Sequence, residues 1–193
     1  MSNAIYNIKR PLNEPMFSYL PGSKEKESIK KSISRIKSKE VEIPLIIGGK
    51  EVRTGDTGKC VMPHNHSHVL ATYHKAGAQE TELAIESALA AKKKWQSMPW
   101  EHRLSIFLKA ADLISSSLWR DNINVSTMLG QSKTIYECEA EAACELADFF
   151  RFNAYFTRKL MEDQPGECKG VFNRMDHRPL EGFVFAVTPF NFT

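Results

Sequence analysis

The sequence predicts an α/β fold, and predicts that only the front part of one is present. Three observations carry this. Four segments with helical spacing follow one another between residues 80 and 161. Gly48-Gly49 sits inside "IPLIIGGKEVRT", where two extended stretches flank a pair able to supply the positive φ angles of a tight hairpin turn. The last segment, "FVFAVTPF" (183–190), is a near-continuous apolar run, which is how a strand covered on both faces of a parallel sheet reads. A parallel sheet needs crossover units after its first strand. None follow in this sequence, so it reads as a piece of something larger rather than a short protein sealed by its last strand.

Composition bounds the function classes. Across 193 residues, 42% apolar and 25% charged, the usage is that of a folded soluble chain. The net charge of +3 is too small to imply a nucleic-acid partner. No apolar run approaches the ~20 residues that cross a bilayer. The opening "MSNAIYNIKRPLNEP" lacks the apolar centre of a secretory signal, while Lys9 and Arg10 are compatible with the stub of a mitochondrial presequence. The four cysteines, Cys60, Cys138, Cys144 and Cys168, are widely spaced and read as reduced thiols.

The elements follow in order. "GSKEKESIKKSISRIKSKE" (22–40) predicts a surface helix capped by Ser23, with acids early, bases late, and one narrow stripe of Ile29, Ile33 and Ile36. Either it docks by that stripe, or it is a basic helix for nucleic acid or membrane; the interspersed acids favour docking. The hairpin comes next, then an extended stretch over 61–77. Helices are expected over 80–98, over 99–118 from a first-turn Pro99, and, more weakly, over 120–131, ending near Gly130. The longest covers 134–161. Its Phe149, Phe150, Phe152, Tyr155 and Phe156 spread around the circumference, as for a helix buried in a larger body. "VFNRMDHRPLEG" (171–182) reads as an extended arm.

Few residues offer chemistry. His64, His66 and His68 alternate with period two, which on a strand places three imidazoles on one face and would suit zinc. Pro63 and Asn65 argue for a turn instead, and no metal is assigned. Cys60, in "TGKC", falls in a turn-rich connection and reads as structural. No phosphate-cradling glycine loop is present. Asn191 follows an apolar strand at its carboxyl end, where α/β sheets gather ligands. Its amide could donate to a developing oxyanion, or it could simply cap a turn. Glu145 heads the stripe of Phe149, Phe152 and Phe156. It either faces solvent or is an acid retained for a functional reason.

"LEGFVFAVTPFNFT" closely resembles the segment of aldehyde dehydrogenases that ends in Pro-aromatic-Asn-Phe. "NEPMFSYLPGS", "TMLGQSKT" and "ELADFFRFNAYF" are similar, more specifically, to the branch that oxidises L-glutamate gamma-semialdehyde in proline breakdown. The likeness runs in register from Asn13 to Thr193. It implies NAD as cofactor and a reaction in which a cysteine thiolate attacks the aldehyde, hydride passes to NAD, and a glutamate-activated water releases glutamate. It places Asn191 on the oxyanion-stabilising asparagine. Thr188, Pro189 and Phe190 fall on the segment bordering NAD, and Phe192 and Glu145 on positions near the aldehyde. The family's nucleophile, general base and pyrophosphate-binding helix all come after Thr193.

The resemblance also implies an organisation. Residues 1–40 would be an N-terminal extension with its surface helix, and 41–164 the hairpin and helical part of an NAD-binding domain. Residues 165–182 would be an oligomerisation arm, and 183–193 the first strand of a Rossmann-like sheet. The small-molecule substrate would be the semialdehyde. The parent would be a homodimer or larger, in the mitochondrial matrix or alternatively the cytoplasm. These residues alone would be inactive; the alternative is a non-catalytic chain that pairs with complete subunits.

Overall fold

The computed structural model describes residues 6–192. Residues 1–5 and Thr193 lie outside that range, and with them the start of the expected extension and the end of the 183–193 segment. Helix α1 spans Lys24–Lys37, capped by the Ser23 hydroxyl, which accepts from the Lys26 backbone N–H at 3.3 Å. A three-stranded sheet follows in the order β1-β5-β4, from β1 (Val41–Ile43), β4 (Thr57–Met62) and β5 (Asn65–His74). β1 runs parallel to β5, Val41 opposite Ala71, whereas β4 is antiparallel to β5. A separate hairpin joins β2 (Leu45–Ile47) to β3 (Lys50–Val52), and Gly48 and Gly49 turn it with φ of 59° and 76°. Those angles suit the primed turn that matches strand twist.

Two local expectations are corrected here. Cys60 lies on strand β4, opposite Ala71, not in a connection. His64 falls in the β4–β5 turn and hydrogen-bonds Ser132 Oγ at 2.7 Å, so the three histidines do not share one strand face. The parallel β1–β5 pair was not foreseen. Its strand is three residues long, too short for alternation to announce it.

The helices are α2 (Ala78–Ser97), α3 (Trp100–Ser115), α4 (Ser117–Gln131) and α5 (Ile135–Cys138), then a π-helical segment Glu139–Cys144 and α6 (Glu145–Glu162). α4 was expected to be the weak one. It begins earlier, at Ser117, and buries Arg120, Asp121, Asn124, Val125, Thr127 and Leu129. It ends at Gln131, as the spacing predicts, and Ser132 caps it in the left-handed conformation at φ 58°. Thr134 and Glu137 then form a capping box that starts α5.

The core gathers Tyr19, Ile29, Met62, Val125 and Leu129, with Ile33, Ile36 and Leu70 against them. α1 therefore docks by its isoleucine stripe. Ser28 and Ser32 add hydroxyl bonds to the Asp121 carboxylate at 2.5 and 3.3 Å. α6 lies on α3, and its fully buried residues are small, Ala147 and Ala154, facing a helix that buries Ala111. Of its aromatics, Phe149 and Phe156 remain outside, each 53% exposed, whereas Phe150, Phe152 and Tyr155 are half-buried.

The 183–190 run departs from its expected form. It joins no ladder among the described residues and ends in a turn at Phe190, and Phe185 and Phe190 are 81% and 95% exposed. A strand is defined by its neighbours' hydrogen bonds, and the small sheet's edges do not reach this segment.

Candidate active-site surface

One polar cluster organises the helical half. Arg120, 1% exposed, donates through Nη2 to Glu139 Oε1 at 2.5 Å and through Nη1 to Glu14 Oε1 at 2.6 Å. Its Nη2 also reaches the Pro15 carbonyl at 2.7 Å. The second Glu139 oxygen accepts from Tyr19 Oη at 2.8 Å and Asn124 Nδ2 at 2.9 Å, and the first accepts from the Phe17 N–H at 2.7 Å. The Phe17 ring covers the guanidinium at 4.0 Å. Tyr19 sits at φ 51°, a conformation costly for a bulky side chain. The Tyr19–Glu139 bond holds it there.

Burial alone would raise the Glu139 pKa, but the Arg120, Phe17 and Tyr19 bonds outweigh it and hold the carboxyl below its ordinary range. The same balance lowers Glu14, where bonds from Arg151, Arg120 and Ser115 overcome burial. Burial works against the Arg120 charge, and its carboxylate partners overcome that too. The cluster thus stays ionised. It clamps residues 14–19 onto α4 and the π segment, over sequence separations that leave no local signal.

The terminal segment is held by the same helices. In the connection between α4 and α5, the Lys133 ammonium donates to the Asn191 carbonyl at 2.6 Å, pairs with the Glu141 carboxylate, and lies 5.5 Å from the Phe192 ring centroid. Gln131 Nε2, at the end of α4, donates to the Phe192 carbonyl at 3.1 Å. Phe190 and Asn191 form a turn. Among the described residues the Asn191 side-chain amide has no hydrogen-bond partner, so its donors are free. Thr188, Pro189 and Phe190 are exposed beside it.

The structure therefore brings Asn191 and Phe192 together and runs 188–190 into them. Glu145 is placed apart. Half-buried at the start of α6, it lines an open pocket of about 190 Å³ with Asn13, Asp148, Phe149 and Phe152, and no residue of 188–192 borders that pocket. Asp148 is occupied by Asn13 Nδ2 at 2.8 Å and the Glu14 N–H at 2.7 Å, whereas Glu145 has no polar partner among the described residues. Glu141, bound to Lys133, lies four residues before Glu145.

Neither buried thiol is poised for attack. Burial pushes Cys138 and Cys144 up to about 11, leaving them protonated at neutral pH. For NAD, residues 188–190 offer exposed backbone and the Thr188 hydroxyl, which fits one wall of a cofactor site. Gln131, Lys133 and Glu141 were not singled out from the sequence. "GQSK" hinted at Gln131 and Lys133 alone, as part of a resemblance rather than by its chemistry, and Glu141 lies outside it.

Comparison with known proteins gives the family of the chain. The model of the aldehyde dehydrogenase family matches residues 50–193. A probable delta-1-pyrroline-5-carboxylate dehydrogenase of Schizosaccharomyces pombe is 48% identical over 94% of this chain and 33% of its own length. The mitochondrial delta-1-pyrroline-5-carboxylate dehydrogenase of Dictyostelium discoideum is 42% identical over 97% of this chain and 34% of its own. Among solved structures, the Mycobacterium tuberculosis delta-pyrroline-5-carboxylate dehydrogenase bound with NAD and cobalamin superposes with a TM-score of 0.96. It is 40% identical and covers all of this chain but 36% of that one. The chain spans about a third of the length of the relatives it matches.

Proposed function

Because the chain belongs to the aldehyde dehydrogenase family, we propose that it forms the oxyanion side of an NAD-dependent enzyme that oxidises L-glutamate gamma-semialdehyde to glutamate in proline catabolism. The observation that carries this is the tethered Asn191, its carbonyl held by Lys133 and its amide free. An amide with unspent donors, fixed on a turn, is what a developing thiohemiacetal oxyanion requires. Thr188, Pro189 and Phe190 border the cofactor, and Phe192 borders the aldehyde. NAD supplies the hydride acceptor; this chain orients and walls it on one side. The names of the relatives, most of them mitochondrial, support the matrix as the compartment.

Residues 165–182 are the arm that pairs subunits, consistent with the exposure of Phe172 and Leu180. These 193 residues, about a third of the length of the relatives they match, serve in this reading as the front section of a catalytic subunit and are inactive alone. Glu145, unpaired above Phe149 and Phe152, accepts a hydrogen bond from the substrate's ammonium group as it passes.

The experiment is a steady-state assay of a full-length enzyme that contains these residues, with NAD and either the semialdehyde or a plain aliphatic aldehyde. NADH should form with both, faster with the semialdehyde. Glu145→Gln should lower kcat/KM more for the semialdehyde than for the plain aldehyde. No NADH from the semialdehyde rejects the reaction; equal losses in Glu145→Gln reject the role of Glu145.

A further inference from the structure

The Lys133 side chain is only 18% exposed, and its ammonium spends its contacts on three groups: the Glu141 carboxylate, the Asn191 carbonyl and the face of Phe192. Glu141 belongs to the π-helical segment, whose wider turn is anchored by the neighbouring buried Glu139. The cation is thus fixed from a rigid element and reaches out to a segment with no ladder of its own. Gln131 holds the next carbonyl, that of Phe192. Two successive carbonyls pinned from one side leave the intervening backbone little freedom. The Asn191 side chain is aimed by that backbone, since it has no partner among the described residues.

We propose that Lys133 is a positioning residue for the oxyanion donor: held by Glu141, its ammonium fixes the Asn191 carbonyl and so aims the Asn191 amide. This rests on the reading of Asn191 as that donor. A neutral side chain of the same length fills the space without the bond, and the turn at 190–191 loosens. A misplacement of about 1 Å is enough to cost up to ~100-fold in rate. The loss falls on kcat, because the contact matters where charge develops.

The test uses a full-length enzyme containing these residues, with Lys133→Met, Lys133→Arg, Asn191→Ala and the Lys133→Met/Asn191→Ala double variant. Lys133→Met should lower kcat roughly 10- to 100-fold with the aldehyde KM within about threefold. Amide hydrogen exchange over 190–192 should quicken. Lys133→Arg, which keeps a cationic donor, should restore most of the rate. In the Asn191→Ala background Lys133→Met should cost little more, since there is no amide left to aim. Equal losses in Met and Arg variants, or the full Lys133→Met loss on top of Asn191→Ala, would overturn the positioning role. If Asn191→Ala is costly while Lys133→Met is silent, this proposal alone falls. If Asn191→Ala is silent, the oxyanion reading falls first and this one with it.

Discussion

Arg120 is the residue on which most long-range order converges. It is buried with Glu139, and each makes the other tolerable: a charge leaves water at a cost of several kcal/mol unless paired and bonded. Replacing Arg120 by Met keeps the volume and strands the Glu139 carboxylate. In a full-length enzyme containing these residues the expected loss is about 3–5 kcal/mol, read as a shift of the denaturation midpoint at unchanged slope. Glu139→Gln in the same background should recover part of it, because the uncompensated charge is then gone. The pH dependence follows from the same pair. Glu139 and Glu14 both have pKa values depressed in the folded state, so their contribution is complete above the ordinary carboxylate range. It is lost as pH falls through the folded values. Acid titration followed by near-UV circular dichroism should therefore show the wild type losing structure below the ordinary carboxylate range, and Glu139→Gln showing a shallower acid dependence. None of this was visible in the sequence. Arg120 read as the first residue of a weak helix, and its partners stand 19 and 106 positions away.

At the scale of elements, periodicity was a good guide where one face is buried and a poor one where the chain is irregular. The Ser23 cap and the isoleucine stripe gave α1, and Gly48-Gly49 gave the hairpin with its turn. The segment 134–161 reads as one helix. In fact a π-helical turn interrupts it, and "EAEAAC" carries no Gly or Pro to mark the change. A wide turn only shifts the phase of the pattern, which a short run of alanines hides. The run 183–190 has the composition of a buried strand, yet strand identity lies in ladder partners that composition does not supply. The α3–α6 contact makes an element-scale prediction. Ala111 is fully buried on α3, and α6 presents Ala147 and Ala154 as its own fully buried residues. Ala111→Leu adds volume where the helices approach closely and should destabilise a full-length enzyme containing these residues by about 1–3 kcal/mol, measured by thermal or chemical melting. An exposed control on the same helix, Lys109→Leu, should change stability by less than about 0.5 kcal/mol.

For the molecule as a whole, the apolar surface is the dominant feature. Phe172, Leu180, Phe185, Val187 and Phe190 are all at least 74% exposed, and they fall on the arm and the strand-like run. Patches of that kind mark surfaces that other protein covers. In size-exclusion chromatography the 193-residue chain should elute as aggregates or as a complex rather than a sharp monomer. A monodisperse monomer with cooperative melting would instead show a self-sufficient fold. A stable mixed species with complete subunits would favour the reading in which the chain acts by pairing.

The candidate site was legible in the sequence as far as Asn191 and Phe192, through a motif, while the Lys133–Glu141–Gln131 cradle was not. Its members are ordinary surface residue types until the terminal segment is laid against them. The central claim is that the Asn191 amide receives the oxyanion. The measurement that tests it most directly is single-turnover NADH formation by a full-length enzyme containing these residues, wild type against Asn191→Ala. The rate should fall by about 10²–10³, as for the loss of one oxyanion donor, with the melting temperature unchanged. A rate equal to wild type would contradict the claim and leave Asn191 as a residue that turns the chain.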